Sequence, residues 1–237
     1  MKNTPFHFCL AIALLIHSLS GSGNLMAQAG NCLDFDGTND YITLHALADD
    51  MAGSTHFTIE FWGKGLAANQ LPQAALVGVH TPSGGNVVVI VMGSSIAQDG
   101  GVKVFDGNVG SYMITGPVIG DNNWHHIVYT RTGAVAELIV DGISAGTHNP
   151  VYSFLSSNLW TVGQEWDPGP VASDFFEGQI DGLKIYNGAD LEGNYSFDQG
   201  VAGGHNAGLT TLTDASLSGN NGTLVNFALN GSTSNWV

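Results

Sequence analysis

The sequence predicts an all-β protein, a sandwich or barrel of antiparallel strands, and three observations carry that prediction. Apolar or alternating runs recur between Asn31 and Asn187, at the spacing of roughly ten residues that marks stacked sheets. Turn formers separate them, with 33 Gly and many Asn, Asp and Pro, residues that adopt the dihedrals tight turns need. No stretch carries the apolar stripe of a surface helix, apart from a short turn at 45–51.

The elements follow in order. His56-Phe57-Thr58-Ile59-Glu60-Phe61-Trp62 alternates, so Phe57, Ile59 and Phe61 share one face of a strand. Val87 to Met92 is apolar throughout, the pattern of a strand covered on both sides. Trp124 to Arg131, Val135 to Val140 and Ile143 to Thr147 read as a meander, turning at Thr132-Gly133 and at Asp141-Gly142. The Asp-Gly pair is a strong two-residue hairpin signal. Phe175 to Tyr186 is a further long strand. Beyond it, 188–237 is rich in Gly, Asn, Thr and Ser, with one strand-like piece at 195–197 and spaced apolar points at Leu209, Leu212, Leu224, Phe227 and Trp236. It reads as a strap that packs on or follows the sandwich.

The first 29 residues are set apart as a signal peptide. Phe6 to Ile16 is apolar but too short to span a bilayer, and Ala27-Gln28-Ala29 gives a small-x-small cleavage pattern. Cleavage between Ala29 and Gly30 leaves 237 − 29 = 208 residues. The expected location is outside the cell or on its surface, through bacterial export. Cys9 leaves with the signal, so Cys32 stands alone and no disulfide is expected. Its neighbours Leu33 and Phe35 make it a small buried side chain. Lys and Arg number 5 against 20 acids, a net charge of −15. That balance excludes nucleic acid and an anionic membrane surface as partners.

Four motifs carry a family resemblance. Leu33-Asp34-Phe35-Asp36-Gly37-Thr38-Asn39-Asp40-Tyr41-Ile42 resembles the opening strand and turn of laminin-G-like, concanavalin A-like domains of secreted bacterial proteins. Phe57 to Trp62, then Trp124 to Tyr129 leading into Val140-Asp141-Gly142, then Phe176 to Tyr186 match in the same order. The resemblance implies a two-sheet antiparallel jelly-roll sandwich over 30–187. It does not fix a function, because the superfamily holds lectins, glycosidases, protein-binding modules and structural repeats. Tyr195-Ser196-Phe197-Asp198, Leu212 to Ser216 and Gly219 to Leu224 are similar to the segment that precedes the opening strand in tandem arrays. Here they follow the sandwich, so they either close this domain or mark where another unit would continue.

The candidate sites follow. Asp36, Asn39, Asp40 and Asp181 lie in motifs where related domains hold calcium, a cation that takes six to eight oxygens. The alternative is an Asp-Gly turn whose carboxylates bind local N–H groups. Some glycosidases of the superfamily carry Glu-x-Asp-x-Glu. Glu177 and Asp181 occupy its outer positions, but Gln179 replaces the middle acid, which argues against catalysis. His125 and His126 are strand neighbours, point to opposite faces and cannot grip one metal. Trp160, Glu165, Trp166 and Asp167 precede Pro168-Gly169-Pro170 and form a candidate sugar platform, unless Trp160 is core and Trp166 closes an edge. The expectation is an exported, non-catalytic glycan-binding module with a structural calcium. The competing reading is a structural or protein-binding module of a surface adhesin, with a glycosidase third.

Overall fold

The computed structural model describes residues 30–95, 97–231 and 235–237. The expected signal peptide, 1–29, lies outside the described residues, and so does Ala29 of its cleavage site. Strands are numbered in chain order. One sheet runs β1 (Leu33–Asp36), β14 (Glu177–Asn187), β3 (His56–Lys64), β8 (His125–Thr132), β9 (Val135–Val140) and β10 (Ile143–His148). β15 (Asp190–Tyr195) also pairs with β14. The other runs β16 (Thr211–Leu212), β17 (Gly222–Val225), β2 (Tyr41–Thr43), β11 (Leu159–Val162), β4 (Ala74–His80), β5 (Asn86–Ser94), β6 (Ala97–Asp106) and β7 (Ser111–Val118). A separate hairpin, β12 (Glu165–Asp167) and β13 (Val171–Ser173), packs against β4 and β5.

The alternation read from the sequence is realised in the burial. Phe57, Ile59 and Phe61 point into the core, while Thr58, Glu60, Trp62 and Lys64 form the outer face of β3. Every residue from Val87 to Met92 is buried, because Val89 and Val91 pack outward against Ala75, Phe105 and Tyr112 in a second small cluster. Asp141 and Gly142 both take positive φ, 52° and 78°, as a type I′ hairpin requires. The short turn is the helix α1 (Leu47–Met51). Strands β4, β6 and β7 were not anticipated.

The C-terminal segment has more structure than one short strand. Its β16 and β17 extend the second sheet beside β2, and Leu212, Leu224, Phe227 and Trp236 join the main core. Residues 235–237 then return along β1. Cys32 and Val237 exchange both backbone hydrogen bonds, 2.9 and 3.1 Å, and Asp34 N–H donates to the Asn235 carbonyl at 2.8 Å. Cys32 is buried, and that burial, with the charges of Asp181 and Asp34 opposing Lys64, pushes its thiol up to about 12.

Candidate functional site

Three strand ends of the first sheet meet at one rim. The register pairs Asp36 of β1 with Glu177 of β14, Asp34 with Gln179, and Gln179 in turn with Lys64 of β3. Between them opens a cleft of about 320 Å³, lined by Asp34, Asp36, Lys64, Asn69, Asn122, Glu177 and Gln179 together with Gly65, Leu66, Phe35 and Gly178. The strands approach closely here because Gly178 lacks a side chain: its φ is 142°, and a Cβ would lie 2.3 Å from the Lys64 carbonyl oxygen. The cleft is largely polar, with Leu66 and Phe35 as its apolar parts.

Its polar groups are held in place. Gln70 is buried, and its side chain bonds Glu177 on both sides, accepting from the backbone N–H at 3.0 Å and donating to the carbonyl. Asn69 Nδ2 donates to the Glu177 carboxylate at 2.8 Å. Asn122 enters in the left-handed region, φ 66°, anchored by its N–H on the Gly65 carbonyl at 2.8 Å. Lys64 Nζ lies 6.0 Å from the Trp124 ring centroid. Burial raises the Asp34 carboxyl above its ordinary range, against a lowering hydrogen bond from Gln179.

The four expected calcium ligands do not converge. Asp36 Oδ1 accepts the N–H groups of Thr38, Asn39 and Asp40 at 2.8, 3.0 and 3.3 Å. Asp40 is buried, and its Oδ2 accepts from Asp36 N–H at 3.3 Å and Asn235 Nδ2 at 2.7 Å. Burial, then the Asp36 charge, lifts Asp40 to about 6. Asp181 stands four residues along β14 from Glu177, the partner of Asp36, about 13 Å at 3.3 Å per residue. As placed, Asp36 and Asp40 accept backbone and amide N–H groups, and Asp181 stands apart from them. Among the described residues no three His, Cys, Asp or Glu cluster to hold a metal.

Glu177 and Asp181 keep the spacing of the outer acids of Glu-x-Asp-x-Glu, but Glu177 is tied to Asn69, Asp181 is buried and Gln179 stands between them. Asp181 is buried, its Oδ1 has no hydrogen-bond partner among the described residues, and burial pushes it up to about 6.

The expected sugar platform is dispersed. Trp160 is wholly buried against Phe154, ring centroids 5.0 Å apart, and is closed to any ligand. Trp166 sits edge-on to Tyr41 at 5.7 Å, and only Asp167 is exposed. Glu165 turns inward: its Oε2 accepts from Gln73 and Asn86 at 3.3 and 3.4 Å, and the same Gln73 amide donates to Asp174 at 3.3 Å. Burial, then the Asp174 charge, raises Glu165 to about 7, and burial, then the Asp167 charge, raises Asp174 to about 6. The two histidines diverge as expected. His126 stacks on Trp62 at 4.9 Å, while His125 bridges Asp141 and Asp121 at 2.7 and 3.1 Å. Lys64, Asn69, Asn122 and Gln179 were missed, because only register and loop packing bring them beside Asp36 and Glu177.

Residues 36–191 match a laminin G-type model of the concanavalin A-like lectin/glucanases superfamily, more than half of the 237 residues. The chain belongs to this superfamily. Among solved structures of similar fold, a putative carbohydrate binding protein from Bacteroides ovatus shares 15% identity and a TM-score of 0.56, over 82% of this chain and 58% of that one. The CBM40 of a Ruminococcus gnavus sialidase shares 14% identity and a TM-score of 0.51, over 66% and 90%. Domain 4 of the arabinanase AbnA from Geobacillus stearothermophilus, in complex with arabinotriose, gives 15% and 0.51, over 68% and 72%. At such identities the likeness establishes the fold. No curated protein matches the sequence.

Proposed function

We propose that the protein is an exported, non-catalytic module that binds glycan in the cleft between β1, β3 and β14. One observation carries the reading: an open, largely polar cleft of about 320 Å³ in which the Glu177 carboxylate is held by Asn69 and the Asp36 carboxylate by local N–H groups. Its volume falls in the range of small-molecule sites, and pre-set donors and acceptors suit sugar hydroxyls, which both give and take hydrogen bonds. A CBM40 bound to sialyllactose and an arabinanase domain in complex with arabinotriose, on the same fold, support a sugar ligand. Gln179 in place of the middle acid and the burial of Asp181 support binding without hydrolysis. Phe6 to Ile16 and Ala27-Gln28-Ala29 support export to the medium or the cell surface. No helix among the described residues is long and apolar enough to cross a membrane.

A protein partner is the second reading, and it rests on a different place. Val118 and Ile143, 57% and 73% exposed, flank a cavity of about 380 Å³ beside β7 and β10. A glycan array separates the two. The first reading expects binding to at least one glycan, weakened tenfold or more by Glu177→Gln, since a hydrogen bond to a charged group contributes about 1.5–3 kcal/mol. An array without binding overturns it.

A further inference from the structure

Beyond the cleft, the outer face of β3 continues past Lys64. Strand alternation places Trp62 on the same outer face, one pleat repeat further along β3, and the register sets Trp62 between Asp181 of β14 and His126 of β8. The outer face therefore reads as successive rows. Asp36 and Glu177 open it, followed by Asp34, Gln179 and Lys64 with Trp124 alongside, and then by Trp62 and His126, with Asp181 buried beside them. Rows two residues apart are spaced by about 6.6 Å. Trp62 and Trp124 are partly exposed, and Trp62 is backed by the His126 ring at 4.9 Å, which holds the indole as a firm surface.

We infer that the polar cleft and the Trp62–Trp124 surface form one continuous track for an uncharged oligosaccharide, with the first sugar ring in the cleft and a further ring stacked on Trp62. The inference rests on the cleft being the glycan site, and it adds the length and charge of the ligand. The length follows from the rows, since Glu177 and Trp62 are two rows, about 13 Å, apart along the strands, more than one sugar ring covers. The charge follows from the lining. Three carboxylates, Asp34, Asp36 and Glu177, face one lysine in the cleft, on a chain whose net charge is −15. An acidic sugar would meet repulsion at the cleft and during its approach. Hydroxyl groups donate to those carboxylates without such cost, and the apolar face of a pyranose or furanose matches an indole.

The test is titration calorimetry of the full protein with neutral arabino-, xylo-, manno- and gluco-oligosaccharides of one to six units, with sialyllactose and chitosan oligomers as charged probes. Affinity is expected to climb at least tenfold from the monosaccharide to the longer members of one neutral series. Trp62→Ala should remove about tenfold from the longer chains and little from the monosaccharide, Trp62→Phe should restore part of it, and Glu177→Gln should weaken every length. Trp124→Ala gives a second readout if Trp62→Ala lowers the melting temperature. Length-independent affinity, an indifferent Trp62 and Trp124, or preference for a charged probe overturns the extended track while leaving the cleft as a glycan site. Failure of every sugar to bind overturns both.

Discussion

Glu165 and Asp174 are two carboxyl groups sharing one amide, and their pH response is calculable. Glu165 is 3% exposed and titrates near 7, Asp174 near 6, against ordinary values of 4.5 and 3.8. The native state therefore holds protons that the unfolded chain has released, so the pair's contribution is fullest below about pH 4 and is lost as pH rises through 6 to 7. For Glu165 alone the gap between 4.5 and about 7 corresponds to about 3 kcal/mol, a large part of a typical folding free energy of about 5–15 kcal/mol. His80 acts in the opposite sense: burial presses it to about 4, so it withdraws stability below pH 6.5. The clean experiment is a difference. Glu165→Gln keeps an oxygen for Gln73 and Asn86 and offers Asp174 an N–H, without the titrating proton. Calorimetric melts of both proteins from pH 5 to pH 8 should show the variant gaining on the wild type as pH rises, by about 6–12 °C in total at about 2–4 °C per kcal/mol. Parallel curves would refute a raised Glu165 carboxyl beneath the β12–β13 hairpin.

Two further outcomes follow from the rim. Gly178→Ala places a Cβ against the Lys64 carbonyl oxygen in a backbone conformation hostile to side chains, so it should cost about 1–3 kcal/mol in a urea melt and weaken glycan binding with it. Calcium restored after EDTA should leave the melting temperature unchanged, while Asp36→Ala, which strips three N–H groups of their acceptor, should lower stability by about 1–3 kcal/mol with or without the ion. A calcium-dependent rise that Asp36→Ala abolishes would reverse the assignment.

The frame of this fold was legible because it is written at short range. Alternation fixed the inward face of β3, and the Asp141-Gly142 pair announced its hairpin. Trp160 and Glu165 were harder. β11 and β12 have only four and three residues, too few for periodicity to say which face is inside, so an indole in the core and a carboxylate beneath a hairpin passed for a surface platform. β6 and β7 were hidden by Gly100, Gly101, Gly107 and Gly110, which interrupt their apolar pattern. The cleft was half legible. Asp36 and Glu177 drew attention as single residues, but no local pattern encodes that Gln179 pairs with Lys64, or that Asn69 and Asn122 arrive from separate loops. Those are consequences of strand register, settled by the whole core at once.

The return of residues 235–237 along β1 has a consequence for how copies of this protein behave toward one another. Those three residues occupy backbone donors and acceptors of Cys32 and Asp34 that would otherwise line an open sheet edge. Trp236, wholly buried, seals the gap between that edge and the core. A protease that trimmed only this short end would leave a bare strand carrying an apolar socket, a template that a second copy could fill with its own terminus. Residues 235–237 thus cover this edge, and their removal should be read as self-association in a sedimentation experiment, before any loss of β content.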